Sequence, residues 1–305
     1  KKLYINHEVP TEDWISSDTH IHTFTNSGHG DATMLERAIT IAGEGIELPI
    51  MTDHNVHVDI KPTSEETGVN AYFTPVIGNE VTTGFGHFNI FPVTEEAPIP
   101  EVKAKNWDEL HRNMQKTVGK GVIILNHARD VHGGFRPFDQ ERHIGIAGIN
   151  LEGWKVPANA MEVINSGAHQ TDLMGLYKDW FGLLNRGYAI TPIGSSDSHD
   201  VSRYLVGQAR TYIRSHSKDP GKIDVDEAIQ NFRKGKVMVN FGLMAEIVVA
   251  QQYGPGDLVP SDGETNVSVR VLGPSWLDAD TVCLYANGIK IREAAISQES
   301  TNGTG

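Results

Sequence analysis

The sequence holds one cysteine, Cys283, among 305 residues. A lone thiol closes no disulfide within the chain and builds no thiolate metal cluster. Low cysteine suits a bacterial cytoplasm and a periplasm alike. No apolar run approaches the roughly 20 residues that a membrane-spanning helix needs. Basic charge is also scarce. Lys and Arg number 26 against 39 Asp and Glu, a net charge of -13, which argues against a general nucleic-acid binder. Low-complexity segments and internal repeats are missing too. With 39% hydrophobic residues, the composition fits a packed globular protein. The chain opens on Lys1 rather than Met. Together with a β-rich tail this favours a secreted or periplasmic home over the cytoplasm, as an expectation only. Oligomeric state has no signal in the sequence.

What the sequence has in quantity is histidine, 14 in all. The densest stretch is Asp18-Thr19-His20-Ile21-His22, read as the C-terminal end of a strand. Side chains at i and i+2 leave a strand on one face, so His20 and His22 point together, roughly 6.6 Å apart at Cα. Two imidazoles so placed suit zinc, manganese or iron.

Further along, helical spacing predicts helices over 31–44 (with Asp31 as N-cap), 107–119, 172–186 and 226–234. Apolar runs predict strands over 48–52, 73–81, 87–93, 122–125, 160–164, 190–194 and 237–240. Residues 56–72 read as irregular. Strands alternating with helices argue for a βα succession with a mostly parallel sheet, closed or open. Polar clusters follow the apolar strands, at the edge where such folds build their chemistry. Residues 131–157 form a long glycine-rich excursion of the kind that covers a site or moves. From 243 the pattern turns to antiparallel strands with Asn287-Gly288 as a hairpin turn. This predicts a barrel-like unit over 1–242 and a β-rich appendage over 243–305, either packed on that unit or the start of a longer sandwich.

Six strand-end clusters carry ligand-type residues: His20/His22, Asp53/His54, Glu80, His87, His127 and Asp197/His199, with His29 in the loop after the first. One by one, each has a plain reading as a hydrogen-bonded polar residue or a cap. Gathered on one rim without cations they would be costly to bury. Divalent ions would supply the missing charge and take the imidazoles as donors. Nitrogen and oxygen donors without sulfur favour Zn, Mn or Fe.

The ordered set Asp18-Thr19-His20-Ile21-His22, Thr52-Asp53-His54-Asn55, Gly78-Asn79-Glu80, Gly86-His87, Asn126-His127 and Gly194-Ser195-Ser196-Asp197-Ser198-His199 resembles the polymerase and histidinol phosphatase (PHP) superfamily. The likeness spans roughly Trp14 to Phe241. Gly86-His87-Phe88-Asn89 and the β-rich tail are similar to its carbaryl-hydrolase-like branch of metal-dependent hydrolases. The resemblance implies an α/β fold, a distorted (βα)7 TIM-like barrel, with two or three divalent ions at the strand ends. It implies His20, His22, Glu80 and Asp197 as ligands of a first ion. Glu80, His87 and His127 would hold a second, with Glu80 bridging, and His29, His54 and His199 a third. Ala128, directly after His127, departs from the His-Pro that many members carry there.

The resemblance further implies a hydrolase, with a phosphoesterase using a metal-bridging hydroxide as the preferred reading. Asp53 would orient the nucleophile or shuttle its proton, or else fix the His54 tautomer. Arg129 and His169 are candidate substrate contacts for a small-molecule ester or phosphoester. Glu162 and Asn165 read as supports behind the ligands. His7, His57, His111 and His216 read as peripheral, and His132 and His143 reach the rim only if the excursion folds over. An apolar pocket from Phe135, Phe138 and Trp154 would favour a carbamate, amide or carboxylic ester. A cationic one from Arg129, Arg136 and Arg142 would favour a phosphoester. A third reading, from another class, is a non-catalytic binding module of a larger protein with purely structural metals.

Overall fold

A computed structural model describes residues 9–129, 136–166, 172–260 and 263–296. Its strands do not close into the expected (βα)7 barrel. They lie in two mixed five-stranded sheets, with six helices among the described residues. The first sheet contains β1 (Trp14–Ile21), β2 (Leu48–Met51), β3 (Val76–Ile77), β11 (Arg210–Arg214) and β12 (Val237–Asn240), in the order β12-β11-β1-β2-β3. The second contains β4 (Asn79–Thr83), β5 (Gly86–Phe91), β6 (Val122–Leu125), β9 (Ala160–Asn165) and β10 (Thr191–Ser195), in the order β10-β9-β6-β5-β4. Between β6 and β9 lie the short paired strands β7 (His143–Ile144) and β8 (Ile149–Asn150).

The departure from a parallel βα succession has a local cause. A parallel pair needs a long crossover, whereas an antiparallel pair needs only a turn. The expected single strand over 73–81 is split at Gly78, and its second piece, β4, turns straight back into β5 through Gly84 and Phe85. A Cβ on Gly78 would sit 2.9 Å from the Met51 carbonyl oxygen, so this approach excludes a side chain. β5 pairs antiparallel with β6 as well, and β11, which the sequence reading missed, is antiparallel to both β1 and β12.

The helices are α1 (Phe24–Ser27), α2 (Met34–Gly43), α3 (Lys61–Glu66), α4 (Trp107–Val118), α5 (Leu173–Asn185) and α6 (Val225–Arg233). α1 and α3 fall in stretches expected to be irregular. α2 starts later than expected because Thr33, not Asp31, is its N-cap. Thr33 and Glu36 form a reciprocal capping box. The Asp31 carboxylate instead accepts from the Val201 amide at 2.6 Å.

Ile15, Ile50 and Val76 from the first sheet and Phe91, Val122, Ile124 and Ile193 from the second share one buried cluster, so the sheets pack on each other. α4 and α5 cover the second sheet with Trp107, Leu110, Met114, Leu176 and Leu183. α2 lays Ala38 and Ile41 beside Ile21 and Met51. At one edge the sheets are joined by two isolated bridges, Ile21 to Ser198 and His54 to Glu80. The chain continues into β13 (Met244–Val249), β14 (Val267–Leu272), β15 (Thr281–Ala286) and β16 (Ile289–Ala295), two antiparallel pairs outside both sheets. No helix among the described residues is long and apolar enough to cross a membrane.

Candidate metal centre

The two isolated bridges mark where the histidines meet. His20 closes β1 on the face expected from its i, i+2 spacing to His22, and both Nε2 atoms lie 3.3 Å from Asp197 Oδ1. His20 Nε2 is also 3.2 Å from Glu80 Oε1, and His127 Nε2 is 3.5 Å from the same oxygen. His54 Nδ1 sits 2.5 Å from Glu80 Oε2, and His87 Nδ1 3.2 Å from Glu80 Oε1. With His22 Nε2 3.7 Å from Oε2, Glu80 stands at the middle of the cluster, beside five imidazoles.

Three sets of donor atoms lie within 4.8 Å of one another: His20, Glu80 and His127; His20, His22 and Asp197; and His22, His54 and His199. They overlap the sets implied by the resemblance without repeating them. His22, not His29, completes the set with His54 and His199. The exposed His29 lies tilted against the His199 ring at 4.3 Å, while its Nδ1 is 3.1 Å from the Ser27 carbonyl oxygen. His87 approaches Glu80 but belongs to none of the three sets.

Electrostatics divides the cluster. Burial pulls the His20 imidazole down, but Asp197, Glu162 and Glu80 together drive it well above its usual value. His127 follows the same balance, with burial opposed chiefly by Glu80 and Asp197, and rises to about 9. His22, by contrast, is held well below its usual value by burial and by His199 beside it. Burial also brings His199 down to about 4. The His22 and His199 rings stack at 4.0 Å, a geometry that two imidazolium ions would oppose. Burial opposes ionisation of Glu80 and Asp197, yet the surrounding imidazoles hold both carboxyls well below the ordinary range.

The residues fit divalent ions. The buried Nε2 atoms of His20, His22 and His199 have no hydrogen-bond partner. Nε2 to carboxylate separations of 3.2 and 3.3 Å match the span between two donors on one tetrahedral ion with bonds near 2.1 Å, about 3.4 Å.

The backbone at these turns is unusual. Asn55, His127 and Asp197 have φ of 54°, 22° and 53° without being glycine. Such positions cost about 1 kcal/mol or more each and persist only where the surroundings hold them. Asp18 supplies part of the hold: its carboxylate accepts from the Ser196 amide at 3.1 Å and the Gly207 amide at 2.7 Å. The fully buried Arg37 on α2 supplies more. Its guanidinium donates to the His22 carbonyl at 2.9 Å and to the Ser198 hydroxyl and carbonyl at 3.1 Å, tying the β1 turn to the β10 turn. The sequence reading missed Arg37. Its signal was there, since Arg37 falls on the inward stripe of α2 with Met34, Ala38 and Ile41.

Other expected site residues lie elsewhere. Asp53 is fully buried, and its Oδ1 accepts from the Thr23 amide (2.7 Å), the Thr23 hydroxyl (3.0 Å) and the Ser27 hydroxyl (2.7 Å). It faces the loop behind His22 rather than the mouth. The His54 Nδ1 partners are Glu80 and Thr82. Arg129 forms a two-point pair with Asp179 on α5. Arg136 pairs with Asp139 and Arg142 with Glu152. Phe138 is buried and stacks on His143, and Trp154 packs against Phe85 and Trp107. His169, His132 and Phe135 lie outside the described residues.

No family model matches the chain, and a search of the curated proteins finds no match.

Proposed function

We propose that the chain is a metal-dependent hydrolase, with phosphoric esters as the preferred substrates. The observation that carries this is the set of orphaned buried Nε2 atoms on His20, His22 and His199, of which the first two converge with His127 on Glu80 and Asp197. A purely structural site saturates one ion with four ligands and needs no more. This cluster offers three overlapping sets. Its histidines at the mouth, His54, His87 and His199, are partly open to solvent, so a ligand can reach it. Zinc, manganese or iron bound there would supply Lewis-acid polarisation of a substrate oxygen and a nucleophile at neutral pH. The resemblance to the PHP superfamily points the same way.

One observation favours a second reading, hydrolysis of a carbamate, amide or carboxylic ester at the same centre. Arg129, Arg136 and Arg142, which would have made a cationic phosphate pocket, are each paired with a carboxylate.

The test is turnover of p-nitrophenyl phosphate, bis-p-nitrophenyl phosphate and 1-naphthyl carbamates with added Mn²⁺ or Zn²⁺. The expected result is activity in one class that disappears in His20→Ala and Asp197→Ala while circular dichroism stays native. Ion binding without turnover of any class would leave the binding-module reading in its place.

A further inference from the structure

We infer that Glu162 is the positioning residue for one half of the cluster: it fixes which nitrogen His20 presents and holds the His127 turn. This rests on the metal-centre reading above.

Glu162 lies on β9, fully buried, 142 residues away from His20 in sequence. Its Oε1 is 2.6 Å from His20 Nδ1 and accepts from the Ser195 hydroxyl at 2.5 Å. Its Oε2 accepts from the His127 amide at 2.6 Å and from Asn165 Nδ2 at 2.8 Å. The ends of β1, β6, β9 and β10 thus meet on one carboxylate. An ionised carboxylate only accepts hydrogen bonds. Nδ1 therefore donates to Glu162, and Nε2 is the nitrogen that faces Glu80 and Asp197. The bond to the His127 amide pins a backbone angle that a non-glycine residue does not otherwise favour.

The other half has separate supports. His22 Nδ1 is 3.2 Å from the Ser27 hydroxyl, which donates to Asp53. His54 Nδ1 turns to Glu80 and Thr82, and His199 Nδ1 to the Asp197 carbonyl. Glu162 supports both sets that contain His20 and touches none of His22, His54 and His199, although His22 is shared between the halves.

The experiment titrates metal-depleted wild type and Glu162→Gln with Zn²⁺ against a competing chelator. Histidine side-chain ¹⁵N shifts identify which rings respond. Removing such a partner typically weakens metal binding by about 10–100-fold. That loss is expected at His20 and His127, with the response of His54 and His199 kept. Glu162→Asp, which restores the charge, is expected to recover part of the affinity. Wild-type affinity in Glu162→Gln overturns the inference, as does an equal loss at both halves. Should Glu162→Gln lack the native circular dichroism, Zn²⁺-loaded wild type decides. A proton on His20 Nδ1 supports the inference and one on Nε2 overturns it. A wild type that binds no Zn²⁺ removes the metal-centre reading itself. A wild type that binds Zn²⁺ beside an unaffected Glu162→Gln removes only the role of Glu162.

Discussion

Arg129 and Asp179 meet fork to fork, Nε to Oδ2 at 2.5 Å and Nη2 to Oδ1 at 2.8 Å. The Asp179 side chain is fully buried. Removing the guanidinium strands that carboxylate, and breaking one side of a buried pair costs about 3–5 kcal/mol. Arg129→Ala is therefore expected to lower the urea midpoint strongly. A variant with unchanged stability and a raised KM would return Arg129 to the substrate.

His143 lies beside this pair, 3% exposed, with its ring stacked 3.9 Å from Phe138. Asp179 Oδ1 is 4.0 Å from its Nε2. Burial, with the Arg129 cation adding to it, lowers the imidazole from 6.5 to about 4. Above pH 6.5 the ring is neutral in both the folded and the unfolded chain, so it adds no pH dependence. Between pH 6.5 and 4 the unfolded chain takes up a proton that the folded chain refuses, and stability falls as pH drops. The full loss is roughly 3 kcal/mol, at about 1.4 kcal/mol per pKa unit. Denaturation of wild type and His143→Leu across that window should show the steeper fall in wild type, since His199 titrates alike in both.

Two glycines of α5 should respond in opposite ways. A Cβ on Gly182 would stand 1.9 Å from the Gly145 carbonyl oxygen, so backbone would have to move. The nearest atom to a Cβ on Gly175 is Asp172 Oδ2 at 3.4 Å, an ordinary contact. Alanine gains up to about 1 kcal/mol over glycine in a helix. Gly175→Ala is expected to stabilise by part of that. Gly182→Ala is expected to destabilise by about 1–3 kcal/mol from overpacking. Chemical denaturation of the two variants measures both signs.

Ions that bind the folded chain alone would raise its stability by about 2.7 kcal/mol at a hundredfold excess over Kd. Zn²⁺ or Mn²⁺ should accordingly lift the thermal midpoint, and chelator should reverse the shift. Asp197→Ala should show much less of it. Calorimetry with and without chelator is the check, and equal midpoints would count against a bound ion.

The reach of the sequence follows from sequence distance. His20 and His22 share a face because a strand has a period of two, a local property. Asp197 and His199 were legible as a candidate ligand cluster for the same reason, and the fold brings them to His20 and His22. The barrel was not legible from local pattern. It turned on whether the piece after Gly78 crosses over or turns back, and a two-residue link at Gly84 and Phe85 decides that. Asp53 looked catalytic because it neighbours His54. Only the loop carrying Thr23 and Ser27, 30 and 26 residues away from it, shows where its carboxylate goes. Arg129 looked free because Asp179, its partner, lies 50 residues on in α5. Pairings of that range leave no mark on spacing.

The left-handed backbone at Asn55, His127 and Asp197 limits how far this protein can be toughened. Glycine would relax any of the three angles. At Asn55 the exchange would give up only a side chain that accepts from the Thr82 amide. At His127 and Asp197 it would delete a side chain of the candidate metal cluster. Selection for heat resistance can therefore ease the first position, whereas the other two must stay taut for as long as the cluster is kept.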